Sequence, residues 1–192
     1  HPKVLVSGDF FVRFSPFFLK ELKEIYSQHG IIVKSTDLFE LLLYGNYHLS
    51  DTTSRRMNAD AFKITTYVKA FATIWKNNSR LFIISKLAPI VLQMLERRHK
   101  RKFSKTGLLY AGPNDLREIY KQTKPWISST IFCEAIPTIG KGLETLENSI
   151  FDSLVLTGPL NCLPYKISQA ILKPIYLENH TPFLVFDVDI SA

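Results

Sequence analysis

Only two cysteines, Cys133 and Cys162, occur in the 192 residues. That excludes a disulfide framework and fits a reducing compartment, read here as the cytoplasm. There is no CxxC pair, so a metal site complete within this chain is not expected. No run approaches the roughly 18 consecutive apolar residues of a membrane span, and no membrane partner is expected. The opening HPKVLVSGD lacks the apolar core of a signal peptide. It also lacks an initiator methionine, so the chain is expected to be a piece of a longer protein. A glycine-rich phosphate loop is missing, which removes the usual nucleotide-triphosphate signature. Internal repeats and low-complexity segments are absent as well. Acidic residues are short: 17 Asp and Glu stand against 24 Lys and Arg, a net charge of +7. A basic balance admits nucleic acid, an anionic cofactor, or neither.

What is present is enough apolar material for a core, 46% of the chain. Residues 3–9, KVLVSGD, form a short apolar run without alternation, the mark of a strand buried on both faces. Ser15 and Pro16 then suit the start of a helix. Phe18, Leu22, Ile25 and Tyr26 recur at helical spacing, and Gly30 closes the helix. Ile31 to Lys34 is a second strand. A short apolar helix is predicted within 37–48, and the polar stretch LSDTTSRRM, 49–57, reads as an exposed connection. Helical patterning follows from Asn58 to about Arg101, with Pro89 expected to kink or break it. Asn114 to Thr123 is a further helix, capped by Asn114. The α/β pattern returns with a helix over 137–148, a strand at DSLVLT, 152–157, a helix over 164–177 interrupted by Pro174, and a strand at PFLVFDVD, 182–189. The prediction is one doubly wound, Rossmann- or flavodoxin-like α/β domain. Its parallel sheet has four strands in the order 2-1-3-4, with a helical insertion at about 58–127.

Ligands in such sheets collect at the carboxyl ends of the strands, where the winding reverses. Ser7-Gly8-Asp9, Gly158 to Cys162 and Asp187-Val188-Asp189 end there. Cys162 precedes Pro164, which suits the first turn of a helix. A thiol at a helix N-terminus feels the positive end of the dipole, so its thiolate is expected to be favoured. A small buried apolar residue is the plain alternative. None of His29, His48, His99 and His180 has an evident relation to Cys162 that would make a nucleophilic triad.

Five stretches carry a resemblance: VSGDFFVRFSPF from Val6 to Phe17, LLLY from Leu41 to Tyr44, EAIPTIGK from Glu134 to Lys141, PLNCLP ending at Pro164, and PFLVFDVD from Pro182 to Asp189. Together they resemble the 2-hydroxyacyl-CoA dehydratase D-component family, in the region shared with CoA-substrate-specific enzyme activases. The helical middle adds little to the likeness. The resemblance implies a lyase component that shares a [4Fe-4S] cluster held by cysteines from successive domains, with Cys162 in the place of one ligand. It implies an acyl-CoA pocket and, as partners, other domains or subunits of the same dehydratase-like assembly. No other cysteine matches the family's remaining ligands, so a cluster would need residues outside this chain, and the chain alone should be inactive. A non-enzymatic α/β ligand-binding or interaction module without a cluster is the competing reading.

Asp9, Arg13, Glu134 and Asn161 are the substrate-binding candidates. Asp9 can hold a ligand hydroxyl or cap its own loop. Arg13 can pair with a carboxylate or a CoA phosphate, or form an ordinary salt bridge. Glu134 can face the pocket or serve only as a helix-start carboxylate. Asn161 can shape the turn before the cysteine. Tyr44, Trp75 and Cys133 read as core, and Asp187 and Asp189 as strand-end carboxylates with solvent as their first expectation. The run ERRHKRK, 96–102, reads as the solvated end of a helix, with a site for an acidic partner or CoA phosphates as the alternative. Nucleic acid is not the expected partner there, because only Phe103 supplies a neighbouring aromatic.

Overall fold

The protein is described by a computed structural model covering residues 1–62, 68–106, 116–128, 131 and 133–189. Its strands are β1 (Lys3–Gly8), β2 (Ile32–Ser35), β3 (Ser153–Pro159) and β4 (Phe183–Val188). The helices among the described residues are α1 (Phe10–Phe14), α2 (Pro16–Gln28), α3 (Leu38–Phe62), α4 (Val68–Phe103), α5 (Leu116–Thr123), α6 (Ala135–Asn148) and α7 (Leu163–Glu178). The strands form one sheet in the order β2-β1-β3-β4, and every pairing is parallel. This is the doubly wound arrangement expected from the sequence. KVLVSG and SLVLTGP are its two adjacent central strands.

Both central strands are buried almost end to end, which is why neither alternates in polarity. Successive side chains point to opposite faces. Val4, Val6 and Val155 meet Leu19 and Leu22 of α2 on one face. Leu5, Leu154 and Leu156 point to the other, where α6 and α7 lie against the sheet and add the buried Ile136, Ile139 and Leu172. Tyr176 of α7 donates its hydroxyl to the Gly142 carbonyl of α6 at 2.8 Å, joining the two helices. Close approach there depends on Gly142, since a Cβ would fall 2.7 Å from Leu172 Cδ2.

The chain separates into two compact units, one of residues 1–37 with 115–192, the other Leu38–Asn114. The second unit thus starts and ends earlier than the expected 58–127. Its start moves because α3 continues through the polar stretch 49–57 instead of stopping before it. Asp51 and Arg55 pair one turn apart at 2.8 Å, and the Ser54 hydroxyl donates to the Ser50 carbonyl at 2.8 Å, so these polar groups are satisfied on the helix itself. Its end moves because α5 packs on α6: Ile119 Cγ2 lies 2.5 Å from where a Cβ on Gly140 would be.

Pro89 does not end α4. Proline has no N–H, so the carbonyl four residues earlier, on Ser85, loses its helical donor. Asn46 of α3 supplies the replacement, its Nδ2 donating to the Ser85 carbonyl at 2.9 Å. The same side of α4 buries Ser85, Glu96 and Lys100, with Lys100 Nζ 2.7 Å from Glu96 Oε1. Pro174 likewise lies inside a helix, α7, without ending it. Tyr44 is buried, as expected of a core residue. The side chain of Trp75, read as core, and Asn114, read as a helix cap, lie outside the described residues. No helix among the described residues is long and apolar enough to cross a membrane.

Candidate functional site

The carboxyl edge of the sheet is shaped by how β1 ends. Gly8 has φ +116°, and a Cβ there would sit 2.0 Å from the Thr157 carbonyl oxygen. Only glycine tolerates both the angle and the approach. The Asp9 N–H then donates to that same carbonyl at 2.8 Å, so Asp9 leaves the sheet tied to β3. Its Oδ1 accepts from the Val12 N–H at 3.0 Å and caps α1. The other oxygen, Oδ2, is the acceptor for the Cys162 thiol, with the sulfur 3.8 Å away.

Cys162 arrives from β3. Cys162 N donates to the Pro159 carbonyl at 3.0 Å, and Leu160 N donates to the Val188 carbonyl at 3.1 Å, which fixes the turn to both β3 and β4. Pro164 stands in the first turn of α7, as the sequence indicated, with Cys162 as the N-cap residue. Asn161, read as shaping this turn, is exposed, and backbone groups close the turn. Gly158 lets the Tyr165 ring cover the loop, since a Cβ would fall 2.6 Å from Tyr165 Cγ.

Glu134, the residue before α6, reaches the same place. Its Oε2 accepts from the Phe10 N–H at 3.1 Å. Arg13 is 1% exposed and donates from Nη1 to Thr36 Oγ1 at 2.7 Å. Its Nε has no hydrogen-bond partner among the described residues, and neither do the buried hydroxyls of Ser7, Ser35 and Thr157. Arg13 is therefore a buried cation without a salt bridge among the described residues. Its field acts on Glu134, but its direct contacts are the Thr36 hydroxyl and the Phe14 ring, 5.4 Å from Cζ to the centroid.

Electrostatics overturn one expectation. Helix position alone suggested a favoured thiolate at Cys162. Burial instead pushes its thiol up, and the Asp9 and Glu134 carboxylates push it further, while the Tyr165 N–H pulls the other way. A dipole end carries about half a charge spread over several N–H groups. Burial first, and the two carboxylates after it, leave the thiol raised despite that favourable end. Burial also raises the Glu134 carboxyl and Asp9 adds to that rise, opposed by the Phe10 N–H and the Arg13 guanidinium.

Three of the five candidate residues, Asp9, Glu134 and Cys162, thus meet through direct bonds or mutual fields, with Arg13 behind them and Asn161 outside. Both cysteines are half-buried, and Cys162 carries a free thiol. A [4Fe-4S] cluster takes several thiolates. Among the described residues, no group of three or more His, Cys, Asp or Glu side chains is placed to hold a metal ion. One thiol beside two carboxylates does not make a cluster site, and the carboxylates oppose the negative charge that cluster thiolates carry. The described residues do not by themselves make a site for that cofactor.

A second polar group was not foreseen. Asp187 of β4 accepts from the Tyr165 hydroxyl at 2.7 Å and from Lys166 Nζ at 2.9 Å. The hydrogen bond from Lys166, then that from Tyr165, lowers its carboxyl below the ordinary range. Tyr165 and Lys166 follow Cys162 by three and four residues, so helical spacing places them one turn on. That spacing was the signal available in the sequence. Comparison with protein families, curated proteins and solved structures gives no match to this chain.

Proposed function

We propose that this chain is an α/β ligand-binding domain of a 2-hydroxyacyl-CoA dehydratase-like assembly, whose carboxyl edge forms part of an acyl-CoA pocket. The observation that carries the reading is the meeting of Cys162 and Asp9, sulfur to carboxylate 3.8 Å, at the point where the winding reverses between β1 and β3. The sequence motifs that resemble the family, GDFFVRF and PLNCLP, supply both partners. Asp9 and Glu134 suit a hydroxyl-bearing ligand, which can donate to carboxylates. Arg13 suits a buried anionic group, since its Nε is free to donate. In a complete assembly Cys162 would offer at most one ligand to a cluster whose other ligands come from other domains.

The test is anaerobic iron–sulfur reconstitution of the full-length protein with and without Cys162→Ser, with acyl-CoA binding measured in parallel. The reading expects lower iron content in the variant and acyl-CoA affinity weakened by Asp9→Ala. Unchanged iron removes Cys162 as a ligand; unchanged affinity removes the pocket. A second reading, a non-enzymatic binding module, is favoured by the burial, and then the carboxylates, that push the Cys162 thiol up. It expects ligand binding with no iron dependence.

A further inference from the structure

In the C-terminal part of the long helix α4 the polarity is inverted. The buried residues described there, Ser85, Glu96 and Lys100, are polar and lie on one side. The opposite side carries Ile83, Ile84, Leu87, Ile90, Val91 and Met94, exposed by 56, 57, 56, 51, 54 and 65% respectively. At about 100° per residue these six fall within an arc of about 120°. Scattered exposed apolar residues need no explanation, but a continuous stripe marks an interaction surface.

Within the stripe, Ile84, Leu87, Val91 and Met94 recur at alternating steps of three and four. That is the seam of a helix that packs lengthwise on another helix. The same steps continue to Arg98 and Arg101, so the seam changes from apolar to cationic along its length. Arg97, Arg98, Arg101 and Lys102 frame a surface hollow of about 580 Å³ at that end. From Arg80 to Lys102 the sequence has one acidic residue, Glu96, and it is buried against Lys100.

We infer that this face docks an amphipathic helix of a partner protein, apolar along about three turns and acidic over the turn that meets Arg98 and Arg101. Charge complementarity selects that occupant. A second copy of α4 would bring cations and no exposed carboxylate to the seam. A lipid surface fits poorly, because Arg98 and Arg101 lie in line with the stripe, not at its flanks. A helix lying flat would carry them into the acyl layer. Acidic residues are most stable in a helix's first turn, which favours an antiparallel seating on the C-terminal end of α4.

The test uses the intact chain and a synthetic 21-residue helical probe. The probe carries Leu at the seam positions of two heptads and Glu at those facing Arg98 and Arg101. A control peptide has Lys in place of Glu. Binding is read by fluorescence anisotropy at low and high salt. The Glu peptide is expected to bind at least tenfold tighter than the Lys peptide, with the gap closing at high salt. Arg98→Glu with Arg101→Glu, both exposed, should invert the preference; circular dichroism checks that the helix persists. Equal binding of the two peptides, or no binding of either, overturns the inference. So does binding to phosphatidylserine vesicles that the double variant abolishes, or self-association in sedimentation that Met94→Glu removes.

Discussion

At the scale of single residues, Gly8 and Asp9 hold the site. Gly8→Ala must push a Cβ into the Thr157 carbonyl at 2.0 Å with φ at +116°, and backbone cannot yield as a side chain can. The expected loss is at least about 2–3 kcal/mol, read as a lowered urea midpoint with the slope unchanged. Asp9 also governs the reactivity of Cys162. Burial is the first cause of the raised thiol and Asp9 a lesser one, so Asp9→Asn should lower the thiol only part of the way. Asn keeps the cap on α1 while removing the charge. Alkylation of Cys162 at pH 8, followed by peptide mass spectrometry, should speed up by roughly two- to fivefold; a slower rate would contradict the assignment. The sign for stability follows from the same shift. A thiol raised on folding contributes in full below its unfolded value, about 8.5, and loses that contribution as pH climbs through the folded value. The wild-type chain should therefore lose stability above about pH 9 more steeply than the Asp9→Asn variant.

At the scale of elements, α4 shows how a tertiary contact overrides a local rule. Pro89 removes one helical hydrogen bond, and Asn46 on α3 replaces it at Ser85. Asn46→Ala should cost about 1–2 kcal/mol, because it leaves a part-buried carbonyl without its donor. In a Pro89→Ala background the helix regains its own N–H, and the same substitution should cost far less. A double-mutant cycle in thermal or urea unfolding measures that coupling, and additive costs would rule the compensation out. The extension of α3 through residues 49–57 has the same lesson in milder form. A polar stretch reads as a loop only until its side chains are seen to bond within one helical turn, as Asp51 with Arg55 and Ser54 with Ser50 do.

At the scale of the whole molecule, the sheet has a core cluster within its own unit. Among the described residues that cluster is Val4, Val6, Leu19, Leu22 and Val155, with Tyr26, Ile31, Val33 and Phe186 packed against it, and none of these belongs to the Leu38–Asn114 unit. Replacing residues 38–114 by a flexible Gly/Ser linker should leave a protein with mixed α/β circular dichroism and one cooperative unfolding transition. The Cys162–Asp9 pair should survive in it, shown by a Cys162 alkylation rate within about twofold of the full chain. Loss of cooperative unfolding would show that the sheet needs the helical unit.

The sequence by itself determined the sheet. Two short apolar runs without alternation had to be central parallel strands, and right-handed crossovers then left one economical order, which is the order found. That order was enough to bring Asp9 and Cys162 to one edge, because strand ends are delivered by topology whatever the side chains do. Only the tertiary structure decided the chemistry of that edge. The raised Cys162 thiol depends on burial first and then on carboxylates 28 and 153 residues away in the chain, and local helix geometry is silent about both. The Tyr165–Asp187–Lys166 group, the continuity of α4 past Pro89 and the exposure of its apolar stripe were hidden for the same reason. Each depends on which distant groups lie opposite, and single-segment periodicity carries no record of that.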